Sequence, residues 1–166
     1  MKALFLLGLL CVGCAPAEPE PGTAAVAVAA EPEPLGASVY QARCAGCHQA
    51  DGQGVEGLYP PLVASSFVTG RKDRLLRIVL TGLEGRIEVQ GVVYEGEMPR
   101  LWGVSDASVA AVLTYVRASW GNDAPPVTED DVRLLRRLIE DRTAPWTPAD
   151  LEAADNPFAD ADSASP

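Results

Sequence analysis

Histidine and methionine are scarce in this sequence. Its 166 residues include one histidine, His48, and two methionines, of which Met1 begins the chain and Met98 lies well inside it. A structural zinc site takes four ligands, usually cysteine and histidine in pairs, so a single histidine leaves few ways to build one. No nucleophile with a matching acid–base partner is evident either. The sequence therefore argues against an enzyme with a substrate of its own.

Long apolar runs and an excess of positive charge are also missing. Crossing a bilayer takes about 20 apolar residues, and the apolar run at the start of the chain, Ala3 to Leu10, is much shorter. The net charge of −10 argues against nucleic-acid binding, which requires a basic face. Residues 35–121 carry eight acidic and eight basic side chains, whereas residues 122–166 carry eleven acids against four arginines. The acidity therefore belongs to the flanks of a neutral middle.

The first fourteen residues are typical of a secretory signal, with a basic residue followed by a short apolar run. Gly13 before Cys14 resembles the lipobox of bacterial lipoproteins, in which the cysteine receives a diacylglyceryl thioether and becomes the new N-terminus. The resemblance implies an extracytoplasmic protein that is held on a membrane through Cys14, because two or more acyl chains anchor stably. The alternative is an ordinary signal cut near Ala15 or Ala17, which releases a soluble protein.

Two further segments are too polar and too poor in large apolar residues to predict a packed core. Residues 15–34 contain the sequence Ala-Glu-Pro-Glu-Pro twice, and we expect a linker there because proline and repeated glutamate resist compaction. Residues 155–166 are small and acidic, and we expect a disordered tail.

The five residues Cys44-Ala45-Gly46-Cys47-His48 predict covalent attachment of haem. Two thiols on one helical turn suit thioether bonds to the two vinyl groups of one porphyrin, and the next residue, His48, then points its imidazole at the iron. Zinc is a poorer interpretation because the remaining cysteines, Cys11 and Cys14, lie in the signal segment. A redox or disulfide-forming pair would leave His48 unexplained.

Met98 is the candidate for the second axial ligand of that haem, by elimination. It lies in Gly-Glu-Met-Pro-Arg, and the following Pro99 restricts it to an extended conformation that suits presentation from a loop. A thioether is a soft ligand that favours reduced iron. The alternative is that Met98 only fills the core.

Hydrophobic spacing predicts two helices and a hairpin between the motif and residue 121. Arg71 to Leu80 places leucine and valine on one side and arginines on the other, with a glycine stop after it. Ser105 to Trp120 begins with a capping serine and continues with an apolar stripe. Residues 87–89 and 92–94, on either side of Gly91, are compatible with a short hairpin.

Residues 122–154 predict a helical extension. Thr128 followed by three acids is a capped start to a helix that ends near Arg142, and Thr147-Pro148 starts a second, shorter one. Either this extension covers part of the preceding domain and stabilises it, or it docks a partner.

From Leu35 to Trp120 the chain resembles the class I cytochrome c family. Besides the haem motif, Gly36 and Tyr40 resemble the first-helix glycine and aromatic of that family, and Val112 and Tyr115 resemble the last-helix residues that cross them. The resemblance implies an all-α class I cytochrome c fold around one covalent haem c, in a domain at residues 35–121. The signal and linker precede this domain and the helical extension follows it.

The resemblance also implies roles for further residues. Pro60-Pro61-Leu62 resembles the loop whose proline carbonyl accepts a hydrogen bond from the proximal histidine. We assign that acceptor to Pro60, with Pro61 as the alternative. We expect three more side chains to pack on the haem or, failing that, in the ordinary core: Tyr94, Leu101 and Trp102.

The function implied is one-electron transfer in an extracytoplasmic respiratory or dehydrogenase chain, with redox proteins as partners. The hairpin before Tyr-x-Gly-x-Met-Pro is similar to cytochrome domains of periplasmic dehydrogenases and copper nitrite reductases. Two alternatives stay open. One is a haem-binding subunit of a larger oxidoreductase, and the other is a haem enzyme or sensor in which Met98 is a labile ligand.

Overall fold

The computed structural model describes residues 32–159, and Cys14 with the whole signal segment lies outside them. Its elements in chain order are α1 Pro32–Arg43, α2 Ala45–His48, α3 Ser66–Thr69, α4 Lys72–Thr81, β1 Leu83–Val89, β2 Val92–Met98, α5 Asp106–Ala118, α6 Glu129–Leu138 and α7 Pro148–Ala153. No helix in this part of the chain is long and apolar enough to cross a membrane.

Helices α1 and α5 cross at Gly36. A Cβ placed on Gly36 would lie 2.4 Å from the carbonyl oxygen of Ala111 and 2.7 Å from Cβ of Tyr115, so only glycine lets the two backbones come this close. Tyr40, one turn further along α1, is fully buried, and its ring centroid lies 5.6 Å from that of Tyr115 and 5.0 Å from that of Trp120. The crossing predicted from the family resemblance therefore brings an aromatic cluster together beside the haem motif.

The antiparallel hairpin β1–β2 qualifies the all-α class, because two seven-residue strands accompany the helices. Its turn, Gln90-Gly91, has positive φ at both residues (54° and 77°), which is the backbone that a tight two-residue hairpin requires. The strands extend beyond the segments expected at residues 87–89 and 92–94. Their side chains alternate, so that one face is apolar and the other carries Glu84 opposite Glu97 in solvent.

Helix α4 forms within one residue of the predicted bounds, but its charged side does not face water. Lys72, Asp73 and Arg77 are buried, because the C-terminal extension covers that side. Asp73 accepts hydrogen bonds from Arg71 at 2.9 Å and from Arg77 at 3.3 Å. The Nζ of Lys72 lies 2.9 Å from Asp131 on α6. Apolar periodicity separates this charged side from the apolar one, but it takes no account of a later segment that carries matching charges and covers it.

The extension packs along the rest of the molecule. Val132 and Leu135 of α6 are fully buried in the main core. Arg117, also buried, donates to the carbonyl oxygens of Val68 at 2.6 Å and Pro125 at 2.7 Å, and so joins α3 and α5 to the start of the extension. These contacts favour the covering role over a free docking element.

Three expected boundaries change, and the first is the end of α6, which lies at Leu138 rather than near Arg142. Helix α1 begins at Pro32, inside the segment expected to be a linker up to residue 34, because proline is well tolerated in the first turn of a helix. The expectation of disorder from residue 155 is wrong for its first residues. Phe158 is buried in the main core beneath Lys72, and the carbonyl oxygen of Asp155 accepts a hydrogen bond from Arg77 at 2.9 Å. Composition missed this because one buried aromatic is enough to fix a short segment.

Candidate haem site

The motif cysteines lie where α1 passes into α2. Cys44 closes the first helix by donating to the carbonyl oxygen of Tyr40 at 2.8 Å, and His48 donates its backbone N–H to Cys44 at 2.9 Å. One helical turn therefore carries both thiols and the imidazole. The thiols are free, with Cys44 half-buried and Cys47 exposed. Burial, and then the neighbouring Cys47, raise the pKa of Cys44 to about 11.

The His48 ring is buried and oriented by a backbone carbonyl. Its Nδ1 lies 2.9 Å from the carbonyl oxygen of Pro60, the acceptor that the resemblance implies. Since a carbonyl oxygen accepts, Nδ1 carries the proton and Nε2 is left unprotonated, with its lone pair available to a metal. Burial lowers the pKa of His48, and the hydrogen bond to Pro60 partly offsets this. The ring is therefore neutral at pH 7, as a metal ligand must be.

Gly54 lets the chain turn back so that Pro60 reaches His48. It has a φ of +66°, and a Cβ on it would lie 2.2 Å from the carbonyl oxygen of Tyr59 and 2.7 Å from that of Pro60. Its own N–H donates to the carbonyl oxygen of His48 at 3.0 Å. The loop and the imidazole are therefore fixed by contacts within a short stretch of sequence.

Met98 ends β2 beside a second glycine. It is paired with Leu83 across the hairpin. A Cβ on Gly82, whose φ is +97°, would lie 2.8 Å from the carbonyl oxygen of Met98. After Pro99, the N–H of Leu101 donates to the carbonyl oxygen of Val79 on α4 at 2.9 Å. The position of Met98 thus depends on α4 and on both strands.

A single cavity of about 340 Å³ brings the candidate ligands together. Cys44, Cys47, His48, Pro60 and Met98 all line it. The rest of its wall is mainly aliphatic and comes from α3, α4, β1 and α5, including Val68, Leu75, Ile78, Val79, Leu83, Ile87, Val89, Val112, Leu113 and Val116. Ligand cavities typically hold about 300–1,000 Å³ and are mostly apolar.

This cavity fits a haem c. The thiols and imidazole are positioned on one turn, a thioether lines the same space, and the aliphatic wall suits a flat apolar macrocycle. For zinc the arrangement is unsuitable, because no three histidine, cysteine, aspartate or glutamate side chains between residues 32 and 159 are grouped to hold a metal ion.

Of the three residues predicted to pack on the haem, two line the cavity and one does not. Leu101 and Trp102 line the cavity, and Trp102 is also 63% exposed with the guanidinium of Arg100 over its ring. Tyr94 is buried but is not among the residues that line the cavity. Sequence reasoning missed the wall formed by β1, although the alternation of Leu83, Ile87 and Val89 with charged residues was a usable signal.

Comparisons with known proteins identify the family to which this fold and motif belong. The sequence model of the cytochrome c family matches residues 34–120. Cytochrome c-552 of Thermus thermophilus is 40% identical over 110 residues, covering 61% of this chain and 83% of that protein. The gluconate 2-dehydrogenase cytochrome c subunit of Pantoea cypripedii is 42% identical over 108 residues, and the alcohol dehydrogenase (quinone) cytochrome c subunit of Gluconobacter oxydans is 36% identical over 106 residues. Both matches span 61% of this chain, but they span only 24% and 22% of the respective subunits.

Proposed function

The chain belongs to the cytochrome c family and is an electron-transfer protein with one covalent haem c, and from this premise we propose that His48 and Met98 are its axial ligands. When bound, haem c supplies a ferric/ferrous couple that carries one electron. Cys44 and Cys47 would hold it through thioethers. The observation that supports the proposal best is the single cavity that these four side chains line together.

The chain's own residues would set the properties of that couple. Pro60 fixes the His48 ring and increases the basicity of Nε2 by accepting the Nδ1 proton in a hydrogen bond. The thioether of Met98 favours the reduced state. The aliphatic wall excludes water and so disfavours the extra charge of the oxidised state.

The near-infrared thioether-to-ferric band tests the ligand assignment in the matured protein. We expect the wild-type protein and Trp102→Phe, a change at a neighbouring cavity residue, to show it. Met98→Ala should lose the band and, once reduced, bind carbon monoxide rapidly, while haem remains covalently attached. A wild-type protein that lacks the band at neutral pH, or that binds carbon monoxide as fast as the variant, would favour the haem enzyme or sensor.

We further propose that the protein is a discrete carrier that meets its redox partners transiently. The 83% coverage of cytochrome c-552 supports this over the role of a dehydrogenase subunit, for which the chain matches only about a quarter of the length or less. Purification of the native protein from its own membranes tests the proposal. We expect it to elute alone, and constant co-elution with one large dehydrogenase would contradict it.

The location proposed is extracytoplasmic and lipid-anchored. Residues 1–14 would be the signal, Cys14 the lipidated residue, and the following segment up to α1 a spacer. Cys14→Ser should move the protein from the membrane to the soluble fraction, and Cys11→Ser serves as the matched control. Mass spectrometry that finds an unmodified alanine at the mature N-terminus would refute the anchor.

A further inference from the structure

The C-terminal extension adds a third backbone segment to the hairpin that carries Met98. The N–H of Trp146 donates to the carbonyl oxygen of Gly82 at 3.0 Å, and the N–H of Glu84 donates to the carbonyl oxygen of Trp146 at 2.9 Å. These two bonds form a parallel bridge between Trp146 and Leu83. On its other edge Leu83 is paired with Met98. Trp146, Leu83 and Met98 therefore lie side by side across one small sheet.

The ring of Trp146 is fixed from several directions. It is buried in a cluster with Ile78, Leu83 and Leu151, against which Met98 also packs. The guanidinium of Arg142 lies 3.7 Å from its centroid and that of Arg77 lies 4.8 Å away. Burial of the ring and these two cation–π contacts stabilise the packed position of Trp146.

Gly82 connects the two sides of this arrangement. A Cβ placed on it would lie 2.8 Å from the carbonyl oxygen of Met98 and 3.6 Å from Cβ of Pro145. Gly82 is therefore packed between the backbone that carries Met98 and the extension. A movement of residues 145–146 away from β1 would open space directly behind Met98.

We propose that Trp146 is a positioning residue for Met98, and that the extension holds the thioether in place against detachment from the iron. The inference rests on the assignment of Met98 as an axial ligand. It goes beyond general stabilisation, because the backbone of Trp146 pairs with β1 directly beside Met98, whereas Val132, Leu135 and Phe158 of the extension belong to the main core cluster. Phe158, as buried as Trp146, belongs to the main core cluster and packs beneath Lys72.

The full-length ferric protein provides the test, with the near-infrared thioether band recorded alongside far-UV circular dichroism. We expect Trp146→Ala to raise the fraction of folded protein without the band by about tenfold or more, because a large buried side chain beside the ligand strand is lost. The reduction potential should fall with it. Phe158→Ala should change that fraction by less than about twofold, even where it lowers the unfolding temperature.

A conservative variant and a milder one complete the experiment. The indole Nε1 of Trp146 is buried without a hydrogen-bond partner, so Trp146→Phe should restore the band to nearly the wild-type level. Arg142→Gln removes a guanidinium that holds Asp150 at 2.7 Å and stacks on Trp146, and should raise the fraction without the band roughly threefold. Arg133→Gln, in an exposed ion pair of α6, is its control and should leave the fraction unchanged.

The outcomes separate this inference from the ligand assignment. A wild-type protein without the band would refute Met98 as the ligand, and the inference with it. If the wild type shows the band, two results would overturn only the positioning role. One is that Trp146→Ala and Phe158→Ala raise the fraction of folded protein without the band equally. The other is that every variant loses the band only together with its far-UV helix signal.

Discussion

The two proposed axial ligands are held in different ways. His48 is fixed by nearby sequence: its ring donates to Pro60, 12 residues away, and its backbone carbonyl accepts from Gly54. Met98 depends on segments that are distant in the chain, because α4, β1 and the extension all meet behind it. We call the His48 side, which is built from neighbouring residues of the chain, the local side. The Met98 side, which is built from distant segments, is the assembled side.

This difference predicts how each side fails. A locally closed loop keeps its geometry as long as its own turns form, whereas an assembled support is lost when any one of its segments opens. We therefore expect the Met98 side to open first under mild stress, while the His48 side stays closed until the domain unfolds.

The largest effect expected is on the local side. Gly54→Ala places a methyl group 2.2 Å from the carbonyl oxygen of Tyr59 at a φ of +66°, and should lower the free energy of unfolding by about 3 kcal/mol or more. Gly57→Ala, at a φ of +72° with nothing within 4 Å, is the matched control and should cost about 1 kcal/mol. Guanidinium unfolding followed by circular dichroism measures both.

The reduction potential of Gly54→Ala gives a second measure of its difference from Gly57→Ala. If the loop shifts and Pro60 no longer accepts from His48, the imidazole becomes a weaker donor and the reduction potential should rise. Equal unfolding free energies and equal potentials for the two alanine variants would show that the loop does not close the His48 side.

A smaller, more local effect is expected on the assembled side. Gly82→Ala puts a Cβ 2.8 Å from the carbonyl oxygen of Met98 at a φ of +97°, a strain of about 1–3 kcal/mol. We expect the near-infrared band to weaken while the far-UV spectrum and the covalent haem are retained. Gly91→Ala, with φ +77° and open space around it, should leave the band intact. Global unfolding of Gly82→Ala without a separate loss of the band would break the distinction between the two sides.

Sequence alone predicted the local side well. The five-residue motif identifies Cys44, Cys47 and His48, and the resemblance places Pro60, since the residues that build this side lie close together in the chain. Scarcity identified Met98 as a candidate, because only one methionine follows Met1. No pattern of spacing indicated which segments support Met98.

The assembled side escaped prediction for a physical reason. The role of Trp146 has no signal in the sequence, because its pairing with Gly82 and Glu84 joins distant segments and leaves no periodic pattern. The burial of the charged side of α4 left no signal for the same reason. A buried Lys72 looks like a surface lysine until its partner, Asp131, is placed beside it.

That ion pair gives the smallest of the expected effects and tests whether the extension is held by charge as well as by packing. Burial raises the pKa of Asp131, but hydrogen bonds from the Thr128 backbone and from Lys72 outweigh it and hold the pKa below its usual value. The contribution of the Asp131 carboxylate, to the cap of α6 and to the ion pair together, is therefore fully present above about pH 4, the unfolded pKa of an aspartate, and is lost as the pH falls through the lower folded value. Asp131→Asn should cost about 1–2 kcal/mol at pH 7 and flatten the acid limb of the stability curve. Glu129→Gln, its exposed neighbour in α6, should cost less than about 0.5 kcal/mol. An acid limb that is unchanged in Asp131→Asn would mean that packing alone holds the extension on α4.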